Sequence, residues 1–149
     1  MIASASQPAG SRPVASGETP WTRLKQFLLA NHSRIIAMEA TNDNALHLYS
    51  VGSWWLAFEH SAFQLGAIFP DAGTTALNFQ DSPSPVLMTS VSDASLREIV
   101  GKHSVRTISP EHIVLQVTAL NSGEYRLWRS RKLEEMGVNC RSGQSRENL

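Results

Sequence analysis

Apolar residues near the start of the chain recur three or four positions apart: Trp21, Leu24, Phe27 and Leu28. This spacing is that of the buried face of an amphipathic helix. Thr19 can cap the first turn through its hydroxyl group, and Pro20 suits the first helical position. We therefore expect a helix that begins at Pro20 and ends near Asn31 and Ser33.

Two strands are expected to follow that helix. The run RIIAMEA (residues 34–40) is short and contains branched apolar residues, and the run ALHLYSV (Ala45–Val51) alternates apolar with polar positions. Both patterns are typical of strands, and the polar cluster TNDN between them is typical of a turn. The pattern predicts that the two strands form a β-hairpin.

The next stretch, VGSWWLAFEHSAF, places two adjacent tryptophans after a glycine. Five apolar residues then recur at intervals of three and four: Trp55, Phe58, Ala62, Leu65 and Phe69. This spacing predicts a helix that Ser53 caps after a turn at Gly52 and that Pro70 closes, with Trp55 buried. Trp54 falls at the edge of the buried stripe. It either packs beneath the preceding strand or contacts a partner.

The second half of the chain repeats the alternation of strands and capped helices. Strands are predicted over residues 76–81, 86–91, 104–110 and 111–120. Ser92 is expected to cap one helix, and Asn121 another that reaches Met136. Residues 113–117 favour an internal strand because their apolar run is nearly continuous. The pattern predicts an α/β (α+β) fold with a mixed β-sheet of about five to six strands packed with three to four helices.

Composition divides the chain into one ordered body and two ends. Residues 1–18 are mostly Ser, Ala, Pro and Gly, and residues 137–149 contain few apolar groups, so we expect both to be flexible tails. Residues 19–136 are expected to form a single domain. The single cysteine, Cys140, has no disulfide partner, and no run is apolar enough to span a membrane or resemble a signal peptide. The sequence thus predicts a cytoplasmic protein that does not bind membranes.

Charge gives one candidate contact surface for a partner. Thirteen basic and thirteen acidic side chains leave a net charge of zero, which argues against a strongly electrostatic binder of nucleic acid. Within the last predicted helix, Arg126, Arg129 and Lys132 recur every three residues and could form a modest basic stripe. This stripe either contacts phosphates or is a solvated helix face.

No pattern in the sequence indicates a catalytic or metal centre. The five histidines lack the spacing of metal ligands: His32, His47, His60, His103 and His112. Glu59 and His60 are neighbours on the second predicted helix, and we expect both to be exposed. Cys140 lies in a predicted tail without the scaffold that a nucleophile needs. We expect no enzymatic activity, no cofactor and no bound metal.

The run LHLYSVGSWWLAFEHSAFQLGAIF resembles the signature of the N-terminal mismatch-recognition domain (domain I) of the DNA repair protein MutS. That signature is an apolar strand, then Gly-x-Phe-Tyr-Glu, then a helix. Gly52 matches its glycine, Trp54 the phenylalanine that wedges beside a mismatched base, and Trp55 the next aromatic. The run VLMTSVSDASLREIV is similar to a later segment of the same domain. The resemblance implies the same fold.

Two departures from the family limit what the resemblance implies. Leu56 takes the place of the glutamate that hydrogen-bonds the displaced base, and the chain contains no phosphate-binding loop for ATP. The resemblance implies a non-catalytic nucleic-acid-binding module that contacts DNA weakly through Trp54, Arg126, Arg129 and Lys132. The alternative is a protein-interaction adaptor that keeps the fold, with Trp54 and Trp128 as aromatic anchors for an unknown protein.

Overall fold

A computed structural model describes residues 19–80, 82–119 and 121–137. The helices and strands follow one another as α1 (Pro20–Ala40), β1 (Ala45–Val51), β2 (Trp54–Phe58), α2 (Glu59–Ile68), β3 (Gly73–Leu77), β4 (Val86–Ser92), α3 (Asp93–Val100), β5 (Val105–Ser109), β6 (His112–Gln116) and α4 (Ser122–Glu135). The predicted α+β fold, with a sheet and four helices, is confirmed. Cys140 and the predicted tails, except Gly137, lie outside the described residues.

The six strands form one sheet in the order β3-β4-β2-β1-β6-β5. All five strand pairs run antiparallel. β1, β2, β4 and β6 are internal strands, which confirms the internal position predicted for residues 113–117. β2 lies between β1 and β4, so both of its edges are hydrogen-bonded to neighbouring strands.

The predicted strand over residues 34–40 is wrong, because α1 continues through it to Ala40. Leu28, Ile35 and Glu39 are buried on one side of the helix, so the helical period extends past the polar residues that were expected to end it. Asn31 does not interrupt the helix. Its side-chain amide donates to the carbonyl of Phe27 at 2.8 Å, one turn earlier.

The hairpin that contains β1 is made with β2 instead. Val51 pairs with Trp54, so Gly52 and Ser53 form a two-residue turn. Gly52 adopts φ +64°, which is the left-handed conformation that such hairpin turns need. The expected helix start at Ser53 is therefore wrong, and both tryptophans lie in a strand. Trp55 is only half-buried, and its indole N–H donates to Asp93 at 2.9 Å.

Helices cover both faces of the sheet. α1 packs on one face through Leu28 and Ile35, and this core includes Tyr49, Leu56, Phe58, Leu77, Phe79, Val86 and Met88. α2 and α3 pack on the other face, where Ala62, Leu65, Leu96 and Ile99 meet Leu46, Leu48, Ala57, Val91 and Leu115. α4 lies on this second face through Trp128 and Leu133. Alternation along β2 therefore sends Trp54 to the α1 side and Trp55 to the other.

Local sequence signals are confirmed at three other places. β1 has the predicted bounds. The hydroxyl of Ser92 accepts from the backbone N–H of Ser95 at 3.1 Å and caps α3, and the Asn121 side chain accepts from the N–H of Glu124 at 3.1 Å and caps α4. β3 begins earlier than predicted, at Gly73, and ends at Leu77.

Candidate functional site

The exposed indole of Trp54 lies at the edge of a groove on the α1 face of the sheet. The groove has a volume of about 470 Å³ and runs between the β1–β2 turn and the first turn of α1. Its floor includes Leu56 and Met88, and Trp21 lines the α1 side. Trp54 was expected at the start of a helix, packed beneath the preceding strand or in contact with a partner. It lies instead at the start of β2 and is 50% exposed.

Trp21 forms a second aromatic wall of this groove. The sequence placed Trp21 on the buried face of the first helix, but its side chain is 44% exposed. Among the described residues, no aromatic ring contacts the indole of Trp21 or of Trp54. The two rings therefore line the same groove without touching each other.

The charge in the groove comes from Arg23. Of the described residues that line it, Arg23 is the only ionisable one, and no carboxylate is among them. The Nη1 atom of Arg23 lies 3.3 Å from the position that a Cβ atom would take on Gly52, so the guanidinium lies directly over the hairpin turn. The groove thus combines two aromatic rings, an apolar floor and one positive charge.

The three predicted basic contacts do not form one surface with Trp54. Arg126 is exposed on α4, on the face of the sheet opposite α1. Arg129 turns inward: its Nε donates to a Glu59 carboxylate oxygen at 2.9 Å, and its Nη2 donates to the carbonyl of Pro85 at 2.5 Å. Lys132 lies 3.6 Å from the carboxylate of Glu135. Arg129 thus already has an internal partner.

The expectation that Glu59 and His60 are exposed helix residues is wrong. The Glu59 side chain is 14% exposed, and its backbone φ is +48°, a conformation that residues other than glycine rarely adopt. Its carboxylate accepts from the Leu87 N–H at 2.8 Å, from Arg129 and from the Tyr125 hydroxyl. These bonds fix the junction between β2 and α2 against β4 and α4.

His60 and Tyr125 pack together beside Glu59. Their rings stack with centroids 3.9 Å apart. Burial lowers the pKa of His60, and burial together with the neighbouring Glu59 carboxylate raises the pKa of Tyr125. Among the described residues, the Nδ1 atom of His60 is buried without a hydrogen-bond partner. Both side chains are therefore held in their uncharged forms near neutral pH.

A second carboxylate, Glu39, is almost completely buried near the end of α1. Its oxygens accept from the Ser61 hydroxyl at 2.5 Å, the Ser61 N–H at 3.0 Å and the Asn42 amide at 3.1 Å. Burial raises the pKa of Glu39 to about 7, although these hydrogen bonds oppose the shift. The Ser61 hydroxyl is fully enclosed by this network. The contacts connect α1 to β1 and α2 and are those of a structural network.

Neither cluster has the donor set of a metal site. In the part of the chain that the structure describes, no three His, Cys, Asp or Glu side chains are grouped so that they could hold a metal ion. No described helix is both long and apolar enough to cross a membrane. Comparisons with protein-family models, with curated proteins and with solved structures found no match for this chain. The resemblance to MutS domain I therefore stays a prediction.

Proposed function

We propose that this chain is a non-catalytic nucleic-acid-binding module in which Trp54 stacks on a base. The observation that carries the proposal is the half-exposed indole of Trp54 at the edge of an apolar groove that Arg23 lines. Aromatic side chains stack on bases of any sequence, and a nearby arginine can pair with the backbone phosphate. The resemblance to MutS domain I supports the same role, since the matching aromatic residue in that family wedges beside a base.

The proposed binding is weak and depends on salt. The net charge of the chain is zero, so we expect few phosphate contacts, and we assign them to Arg23, which lines the groove, and to Arg126, which is exposed on α4. Each neutralised phosphate lowers the logarithm of the affinity by about 0.9 for each tenfold increase in salt. We therefore expect a salt slope of about one to two. The single cysteine accords with a reducing cytoplasm, which we propose as the location of the protein.

Binding to labelled single-stranded, duplex and mismatched DNA, measured by fluorescence anisotropy at low and moderate salt, tests this proposal. Trp54→Ala is expected to weaken binding about tenfold, since stacking on one base contributes about 1–3 kcal/mol. Leu127→Ala is the matched control, because Leu127 is 52% exposed on α4, away from the groove, and should bind as the parent chain does.

Two results would contradict the proposal. One is the absence of binding at low salt by a chain whose circular dichroism shows that it is folded. The other is equal binding by the Trp54→Ala and parent chains. In either case the apolar groove and the neutral net charge would point instead to the protein-interaction adaptor, with the exposed indole as an anchor for a partner protein.

A further inference from the structure

We propose that the groove holds one unpaired base between the indoles of Trp54 and Trp21, so that its ligand is single-stranded nucleic acid. This inference rests on the nucleic-acid function proposed above. It adds a second contact residue, Trp21, to which the sequence gave a core position. It also selects one class of nucleic acid, because a base can enter between two rings only when both of its faces are free.

The placement of the two indoles supports a clamp. Trp21 lies in the first turn of α1 and Trp54 at the start of β2, so the two rings that line the groove are held by different elements. Both indoles are about half exposed, and neither contacts another aromatic ring among the described residues. The groove volume of about 470 Å³ falls within the range of about 300–1,000 Å³ that is typical of small-ligand sites.

Charge complementarity favours a nucleotide over other flat ligands. Arg23 lines the same groove as the two indoles and brings a guanidinium group to it. A planar ring that carries a phosphate matches this combination, with the ring against the indoles and the phosphate towards the guanidinium. A base within a duplex is stacked on both faces and must be flipped out before it can enter. Single strands therefore bind more tightly than duplexes of the same sequence.

The test uses the full chain and three labelled oligonucleotides of equal length: a single strand, its duplex, and a single strand with abasic sites in place of most nucleotides. We expect the single strand to bind at least about tenfold more tightly than either of the others, since stacking dominates the contact. Trp21→Ala should weaken single-strand binding at least fivefold, whereas Trp21→Phe, which keeps a ring, should retain most of it. Leu29→Ala is the matched control, because Leu29 is 50% exposed on the same helix and does not line the groove.

The outcomes separate this inference from the function on which it rests. Equal affinity for the single strand and the duplex would overturn the clamp, and so would unchanged binding by a folded Trp21→Ala chain. If Trp54→Ala still weakened binding, the nucleic-acid-binding module would stand in both cases. Equal affinity for the abasic strand would show that phosphates alone are bound, which overturns the clamp. A folded parent chain that binds none of the three oligonucleotides would overturn both proposals.

Discussion

At the scale of single residues, the fold sets the burial and the hydrogen bonding of two carboxylates, those of Glu39 and Glu59. Glu39 lies on a helix that also carries exposed charged residues, yet it is 1% exposed and its pKa rises to about 7. Glu59 is held in a left-handed conformation by hydrogen bonds from two other elements. Such strained and buried groups often mark functional sites, but these carboxylates are saturated with protein donors. Their contacts instead fasten helices to the sheet.

Glu39 should make the stability of the fold depend on pH. Its pKa rises from 4.5 to about 7 on folding, so the unfolded chain releases this proton at lower pH than the folded chain does. The corresponding contribution to stability is full below about pH 4.5 and is lost as the pH rises through about 7. Glu39→Gln should therefore gain stability relative to the parent chain between pH 5 and 8, by about 1–3 kcal/mol.

Urea unfolding of both chains at several pH values measures this difference. The two chains must be compared with each other, because His112 adds a pH dependence of the opposite sign. Burial lowers the pKa of His112 from 6.5 to about 4, so the free energy of unfolding of both chains falls as the pH drops below about 6.5. A constant difference in unfolding free energy between the chains across this range would show that Glu39 does not titrate as described.

At the scale of elements, α4 is attached to the rest of the fold by polar contacts of Tyr125 and Arg129 with Glu59 and by apolar contacts of Trp128 and Leu133. Arg129 and Glu59 are 24% and 14% exposed, and Leu133 packs against Ala76 and Leu87. Arg126 lies three residues earlier on the same helix and is exposed. The predicted basic stripe therefore contains one arginine that fixes the fold and one that faces solvent.

Replacing these two arginines should separate their roles. Arg129→Ala removes one partner of a largely buried pair and leaves Glu59 short of a donor, so we expect a loss of about 2–3 kcal/mol in unfolding free energy. Arg126→Ala is the control and should change it by less than about 0.5 kcal/mol. Chemical denaturation of both variants gives the values. Equal losses would mean that the Arg129–Glu59 pair contributes nothing specific.

At the scale of the whole molecule, the sheet separates the two candidate contact regions. α1 and the groove with Trp54 lie on one face, and α4 with Arg126 lies on the other. One ligand that meets both regions must pass around an edge of the sheet. This separation favours the groove as the principal contact and agrees with the salt slope of about one to two that we expect.

The cores on the two faces of the sheet and its six strands, as far as the structure describes the chain, lie within residues 19–137. A shortened chain of residues 19–137 should therefore unfold within about 0.5 kcal/mol of the full chain, because no described core residue is removed. Denaturation of the two chains under the same conditions checks this prediction. A loss of several kcal/mol would show that the single domain extends beyond the predicted boundaries.

The sequence by itself determined the features that depend on neighbouring residues. Ser92 and Asn121 mark helix starts because a capping side chain bonds to an N–H group only a few positions away. The alternation in Ala45–Val51 located β1, and the overall count of elements defined an α+β fold. The aromatic residue Trp54 could also be singled out, because two adjacent tryptophans cannot share the centre of one buried face.

Only the tertiary structure decided the features that depend on distant partners. The run that begins at Trp54 fits a helix or a strand by spacing, and it became β2 because β1 and β4 pair with both of its edges. The helical state of residues 34–40 was likewise set by the core beneath Ile35. The burial of Glu59 and the meeting of Trp21 with Trp54 around one groove arise from packing between separate elements, which no local period in the sequence encodes.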